Sequence, residues 1–184
     1  NFTTPTLNLE TGSQLNSTTG EIGIQSNGAG NALTVNLTNA SISANTNILF
    51  NPTSAGAVDV NGDATSSLSA NAAAGNINYN ALGNDVDVEI GSINGANTGS
   101  SAEADFDVLN GNLTVGPYSA TGDLDLNQQA PFGATNSNIA LQDTINVGGD
   151  LNATTGTAQQ LTIQNNGGNP ANITIAGAAT LNTP

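Results

Sequence analysis

The stretch Val86-Asp87-Val88-Glu89-Ile90 alternates apolar and acidic residues without a break. Strict alternation is typical of a β-strand with one buried and one solvated face, because successive side chains of a strand point to opposite sides. The pattern therefore predicts that Val86, Val88 and Ile90 point into a core while Asp87 and Glu89 face solvent.

Triplets of the same apolar-x-apolar form recur along the whole chain. One series has spacings of 26, 25, 28, 27, 26 and 22 residues and begins at Leu7, Leu33, Val58, Val86, Leu113, Ile139 and Leu161. A second triplet follows each of these, beginning at Ile22, Ile48, Ile77, Phe106, Leu124, Ile145 and Ile173. Regular return of one pattern indicates a repeat protein, so the sequence predicts seven coils of about two strands each.

The strands are short and are separated by Gly, Asn and Pro, and no segment has the length that a stable helix needs, so the predicted class is all-β. Two architectures bury such strands. A β-solenoid stacks the coils so that each triplet lies over its equivalent in the coil below. A β-sandwich or jelly roll of a fibre-forming subunit folds the same strands antiparallel into two sheets. The repeat favours the solenoid, and the sandwich remains the alternative.

The chain has 184 residues. This length is sufficient for one all-β domain with its own hydrophobic core, without metal or disulfide support. We therefore expect a single domain over residues 1–184. Within it, residues 1–6 are expected to form an extended N-terminal arm that Pro5 stiffens.

The charge balance excludes several classes of partner. Lys and Arg total 0, Asp and Glu total 14, and the formal net charge is -14. A chain without Lys or Arg has no group that neutralises phosphate, so nucleic acid and anionic lipid are excluded as partners. No apolar run approaches the roughly 18 residues of a membrane-spanning helix, so membrane insertion is not expected.

The missing residue types also suit exposure outside a cell. The sequence contains no Cys and no Met, which are the residues most sensitive to oxidation. It offers trypsin-like proteases no Lys or Arg at which to cleave. The expected location is therefore extracellular or at the cell surface.

Enzymatic chemistry is not expected. Without His, Cys, Lys or Arg the nucleophile–base pairs of hydrolases cannot be built. Paired carboxylates such as Asp85 with Asp87, or Asp105 with Asp107, would lie about 7 Å apart on one strand face, as in inverting glycosidases. A solvated strand face gives the same spacing, and aromatic residues make up only 3% of the chain. We therefore predict no catalytic residues and no cofactor other than a weakly indicated calcium ion.

Calcium is the better use for acidic side chains, because hard cations prefer oxygen ligands. Asp59, Asn61 and Asp63 place such oxygens at alternate positions, as the start of a calcium loop does. No Glu follows at the distance that would close the loop, so a solvated turn is the simpler interpretation. The acidic strands at 85–89 and 103–107 would share a cation only if their coils are adjacent.

Two Gly- and Asp-containing segments carry a resemblance to a known family. Val147-Gly148-Gly149-Asp150-Leu151-Asn152-Ala153 and Gly122-Asp123-Leu124-Asp125-Leu126 resemble, in pattern, the coils of secreted β-solenoids of the filamentous-haemagglutinin and autotransporter-passenger kind. The resemblance implies a secreted protein with a β-solenoid fold.

These features favour a non-enzymatic structural subunit or segment of an extracellular filament, surface layer or biofilm matrix. Because the chain has no Lys and only six Pro to block strand edges, we expect head-to-tail assembly into a homopolymer. The segments Thr6 to Glu10 and Ala171 to Leu181 are the expected points of contact. The alternative is an adhesin or carbohydrate-binding module, with surface glycans as its partner.

Overall fold

A computed structural model describes residues 1–110, 112–128, 138–156, 160–164 and 171–182. Within these ranges the chain forms strands and no helix, so none of the described segments is a helix able to cross a membrane. The strands are β1 (Phe2–Thr3), β2 (Thr6–Leu9), β3 (Gln14–Ser17), β4 (Ile22–Gln25), β5 (Leu33–Leu37), β6 (Ser41–Ala44), β7 (Ile48–Phe50), β8 (Val58–Gly62), β9 (Ser67–Ala70), β10 (Asn76–Asn80), β11 (Val86–Ile90), β12 (Ser92–Asn94), β13 (Ala96–Ser101), β14 (Ala104–Val108), β15 (Leu113–Ala120), β16 (Leu124–Gln128), β17 (Ile139–Gln142), β18 (Thr144–Val147), β19 (Leu151–Thr155), β20 (Leu161–Gln164), β21 (Asn172–Ile175) and β22 (Ala179–Asn182).

The strands form three parallel sheets that run along the molecule. Sheet A has the order β1-β4-β7-β10-β13-β15-β17-β20, and β18 joins it by pairing with β15 and β21. Sheet B has the order β2-β5-β8-β11-β14-β16-β19-β22. Sheet C is shorter, with the order β12-β9-β6-β3.

Parallel pairing between successive turns is the arrangement of a β-solenoid, as the sequence predicts, and not that of an antiparallel sandwich. The chain makes six to seven turns, close to the seven coils expected. Residues 1–6, expected as an extended arm, contain β1, which pairs in parallel with β4, and the first residue of β2.

Coil length varies more than the triplet spacing indicates. In-register pairing along sheet B gives steps of 28, 25, 28, 18, 20, 27 and 28 residues. In the two short steps the chain passes from sheet B to sheet A without a strand in sheet C. The strand that pairs with Val86–Ile90 is therefore Ala104–Val108, whereas Leu113, expected there, begins a strand of sheet A. The even triplet spacing conceals this change of sheet.

The core follows the predicted alternation. Val86, Val88 and Ile90 are at most 1% exposed, whereas Asp87 and Glu89 lie on the solvated face of sheet B. The same alternation holds in the neighbouring strands β5, β8, β14 and β16, so one continuous apolar core runs through the solenoid.

Aromatic side chains fill the core where the coils are short. Tyr79, Gly99 and Tyr118 occupy one column of sheet A, and Gly99 contributes no side chain to it. From sheet B, Phe106 makes edge-to-face contacts with both tyrosine rings, at centroid distances of 5.4 and 5.7 Å. Phe50 stacks on Tyr79 at 5.3 Å. These contacts join the two sheets directly.

The Gly- and Asp-containing segments form the corner that leads into sheet B. Adjacent coils approach closely there: the Gly149 N–H donates to the Gly122 carbonyl at 2.8 Å, and the Gly177 N–H donates to the Gly149 carbonyl at 2.9 Å. A Cβ on Gly149 would collide with the carboxylate of Asp123. That carboxylate accepts the Asp150 N–H at 2.7 Å. The corner therefore requires glycine followed by a short acceptor.

The alternation of β11 can be tested with two adjacent substitutions. Val88→Asp should reduce the free energy of unfolding by about 3 kcal/mol or more, because it places an unpaired charge in a fully buried position. Asp87→Asn, one residue away on the solvated face, should leave stability unchanged or raise it. Urea denaturation measures both, and two equally harmless substitutions would show that the assignment of inner and outer faces is wrong.

Candidate functional site

The outward-facing side chains of sheet B form two straight columns. Parallel strands in register place equivalent residues directly above one another, about 4.8 Å apart. The first polar column consists of Thr6, Thr34, Asp59, Asp87, Asp105, Asp125, Asn152 and Thr180. The second polar column consists of Asn8, Asn36, Asn61, Glu89, Asp107, Asn127, Thr154 and Asn182.

Six carboxylates are concentrated in the central coils of these columns. We call this surface the acidic face; its members are Asp59, Asp87, Glu89, Asp105, Asp107 and Asp125. The sequence supplies no Lys, Arg or His with which any of them could pair. The strands at 85–89 and 103–107 lie in adjacent coils, which meets the condition that the sequence set for a shared cation.

Crowding on the acidic face shifts the pKa of two of its carboxyl groups. Partial burial between neighbouring strands, together with Asp107, Asp125 and Asp87, raises the pKa of Asp105 to about 6. Partial burial and the charges of Asp59, Asp107 and Glu89 also raise the pKa of Asp87 above its usual value. Both groups therefore hold a proton at a higher pH in the folded chain than in the unfolded chain.

A shallow groove of about 280 Å³ lies at one end of the acidic face. Its lining includes Asp105, Asp107, Asp125, Asn127 and Asn152. The Oδ1 atom of Asp107 is buried and has no hydrogen-bond partner among the described residues. Carboxylate oxygens in this arrangement repel one another, so protons or cations that approach the groove relieve the repulsion.

Amide side chains border the acidic face. On the N-terminal side, the Asn61 Nδ2 donates to Asn36 Oδ1 at 3.2 Å and the Asn36 Nδ2 donates to Asn8 Oδ1 at 2.7 Å. On the C-terminal side, the Asn152 Nδ2 donates to Asp125 Oδ1 at 2.6 Å. The charged coils are thus enclosed by neutral coils that hydrogen bond along the columns.

The structure places the three predicted calcium ligands in different surroundings. Asp59 and Asn61 lie on the outer face of β8, in the first and second polar columns. Asp63 lies in the loop after β8, where its carboxylate accepts from the Thr65 hydroxyl at 2.7 Å and from the Asn39 N–H at 2.8 Å. A cation at Asp63 would have to compete with these donors.

The same loop donors stabilise the charged form of Asp63. Hydrogen bonds from Thr65 and Ser66, with a further bond from the Asn39 N–H, lower the pKa of Asp63 to about 2. In the part of the chain that the structure describes, no group of three or more Asp or Glu residues has the geometry of a metal site. The calcium site at Asp59, Asn61 and Asp63 stays a prediction.

The sequence indicates the acidic strands but not the four-coil column of Asp59, Asp87, Asp105 and Asp125. The triplet series puts Leu113, not Ala104, above Val86, and this separates β14 and β16 from β11. The available signal was an Asp in second place in three apolar-Asp-apolar triplets, Val58–Val60, Val86–Val88 and Leu124–Leu126. Aligning those aspartates instead of the spacing would have found most of the column.

Comparison of the chain with protein-family models, with curated proteins and with solved structures finds no match.

The acidic face predicts a specific dependence of stability on pH. The folded-state pKa of Asp105, about 6, is above the usual unfolded value of about 3.9, so its charge destabilises the fold above pH 6, and this effect disappears as the pH falls towards 4. Asp105→Asn should therefore raise the melting temperature at pH 8, by less than about 3 °C because the group is partly exposed. At pH 4.5 the variant and the parent should melt together.

Asn127→Asp is the matched control for that substitution, because it adds a carboxylate beside Asp107 on the same face. It should lower the melting temperature at pH 8 and have little effect at pH 4.5. High salt should reduce both differences through screening. Differences that are independent of pH and salt would contradict the proposed repulsion.

Asp63 should behave in the opposite way. Because its folded-state pKa is lowered to about 2, its stabilising contribution is complete above about pH 4 and is lost as the pH falls towards 2. Asp63→Asn should therefore destabilise the fold at pH 7, whereas Asp59→Asn, in the first polar column, should not. Thermal denaturation of both variants at pH 7 and pH 2.5 makes the comparison, and equal effects at pH 7 would refute the loop role of Asp63.

Proposed function

We propose that this chain is a non-enzymatic structural module of an extracellular filament, surface layer or biofilm matrix, and that it assembles end to end into a homopolymer. The observation that carries this proposal is the exposure of inward-facing apolar side chains in both end coils. A solenoid whose end coils are not covered by a polar cap is expected to associate through them.

The two ends differ sharply from the middle of the solenoid. Inward-facing residues of the central coils are almost completely buried. At the first coil, Leu7 and Leu9 of β2 are only partly buried. At the last coil, Leu181 of β22 is 51% exposed and Ile163 of β20 is 59% exposed. A further coil placed on either end would bury these side chains.

The polar surface supports the same proposal. Acidic side chains on sheet B occupy the central coils, whereas the end strands β2 and β22 place Thr and Asn on their outer faces. Like charges directly opposite each other destabilise a strand pair, and end-to-end contact of this chain avoids such pairs on sheet B. The absence of His, Cys, Lys and Arg from the sequence supports a role without catalysis.

The solenoid fold also supports kinship with the secreted β-solenoids of the filamentous-haemagglutinin and autotransporter-passenger kind. The Gly-Gly-Asp corner at 148–150 is a local feature on which that proposal rests, because it turns the chain tightly between coils.

The alternative, an adhesin or carbohydrate-binding module, is favoured by a groove of about 380 Å³ on the outer face of sheet A. The groove is lined by amide and hydroxyl side chains that can bind sugar hydroxyls, including Asn78, Thr98, Ser119 and Asn146. Sugar sites generally also present an aromatic surface, whereas Phe50, Tyr79, Phe106 and Tyr118 are all buried. The filament is therefore the better supported function.

The experiment compares two exposed leucines. Leu181 lies in the end coil, whereas Leu82, 62% exposed, lies between β10 and β11 in the middle of the solenoid. Negative-stain microscopy of the purified protein in physiological salt should show fibres that lengthen with concentration. Leu181→Asp should abolish them, because the charge would be buried in the contact, and Leu82→Asp should not.

Sedimentation and circular dichroism complete the test by showing that both variants fold as monomers. A parent protein that stays a monodisperse monomer at all concentrations would refute the filament proposal. If such a monomer also binds immobilised glycans, the adhesin becomes the better proposal. Unchanged fibres from Leu181→Asp would exclude this end coil as the contact.

A further inference from the structure

We propose that the contact between copies is an in-register continuation of the solenoid, in which β22 of one copy pairs in parallel with β2 of the next and β21 pairs with β1. This inference rests on the proposed end-to-end assembly and specifies its geometry. On sheet B it places Thr180 over Thr6, Leu181 over Leu7 and Asn182 over Asn8. On sheet A it places Ile173 over Phe2.

Two apolar columns run from the first coil to the last and define this register. On sheet B the column consists of Leu7, Val35, Val60, Val88, Phe106, Leu126, Ala153 and Leu181. On sheet A it consists of Phe2, Ile24, Phe50, Tyr79, Gly99, Tyr118, Ile145 and Ile173. Because both columns pass through every coil, a single stacking step continues both of them.

The end residues of both columns are exposed where the central ones are not. Phe2 is 42% exposed at one end and Leu181 is 51% exposed at the other, while Val88 and Phe106 between them are fully buried. Stacking Leu181 on Leu7 and Ile173 on Phe2 would bury both ends of both columns. A shift of one residue along β2 would instead point Leu181 at the solvated face.

Hydrogen bonds of the second polar column also specify the contact. Asn61 donates to Asn36 and Asn36 donates to Asn8, so each amide donates towards the N-terminal end of the molecule. The Asn8 Nδ2 is next in this series, and the proposed contact brings Asn182 Oδ1 of the neighbouring copy beneath it. The series of amide bonds would then continue from one copy into the next.

Charge favours the same register. The first polar column begins at Thr6 and ends at Thr180, and the second begins at Asn8 and ends at Asn182. Four carboxylates of the first column lie between these ends, in consecutive coils from Asp59 to Asp125. The proposed contact therefore joins only neutral members of the columns, and the acidic faces of neighbouring copies stay several coils apart.

Disulfide cross-linking tests the register directly, because the chain contains no cysteine. The matched variant carries Asn8→Cys and Asn182→Cys. In the proposed contact their Cα atoms lie about 4.8 Å apart, within the range that a disulfide spans. Within one copy they are about 34 Å apart, seven strand spacings, so no intramolecular bond can form. Oxidation should give a ladder of multimers on a non-reducing gel.

The control variant carries Asn8→Cys and Thr180→Cys. Position 180 lies on the same face of β22 but is displaced by about 6.6 Å along the strand, which puts the two Cα atoms about 8 Å apart, too far for a disulfide. It should give no ladder under the same oxidation. Both variants are examined by negative-stain microscopy before oxidation.

The outcomes separate the register from the function. A ladder from the matched variant alone, with fibres present, supports the proposed contact. Fibres with no ladder, or with equal ladders from both variants, would overturn the register and leave the filament standing. Absence of both fibres and ladders, from the parent as well as the variants, would overturn the filament and the register together.

Discussion

In-register parallel stacking is the constraint on which the rest of this structure depends. Each residue of a coil lies about 4.8 Å from its equivalent in the next coil, so the chain is selected for how well side chains tolerate their own kind. Apolar residues gain from this arrangement, since Val58, Val86 and their equivalents form a continuous core. Asparagines gain hydrogen bonds, as between Asn8 and Asn36. Aspartates acquire repulsion, as the raised pKa of Asp105 shows.

The coils with the strongest repulsion also contain the most specific packing. Strand β14 places Asp105 and Asp107 outside and Phe106 inside, between Tyr79 and Tyr118. Edge-to-face aromatic pairs contribute about 0.5–1.5 kcal/mol beyond the area that they bury. Both tyrosine hydroxyls also find buried partners, Tyr79 in Asn97 and Tyr118 in Ser101, each at 3.1 Å. Interior contacts of this kind offset part of the cost of the carboxylates outside.

The sequence predicted what depends on local alternation and missed what depends on coil length. Inner and outer faces of β11 follow from its own five residues, and the solenoid follows from the recurrence of such strands. The positions of Leu113 and Ala104 could not be predicted in this way, because a missing strand in sheet C leaves no mark on the alternation of its neighbours. The loop role of Asp63 was missed for a similar reason, since its donor Asn39 lies in the preceding coil.

The two short coils have a mechanical consequence. Between steps of 25 to 28 residues lie steps of 18 and 20, where only sheets A and B enclose the core. The resistance of a rod to bending rises steeply with its thickness, so a narrow section yields before its wider neighbours do. We expect that a solenoid of this shape flexes at the level of Phe106, and that the planes of its aromatic rings set the direction in which it gives way most easily.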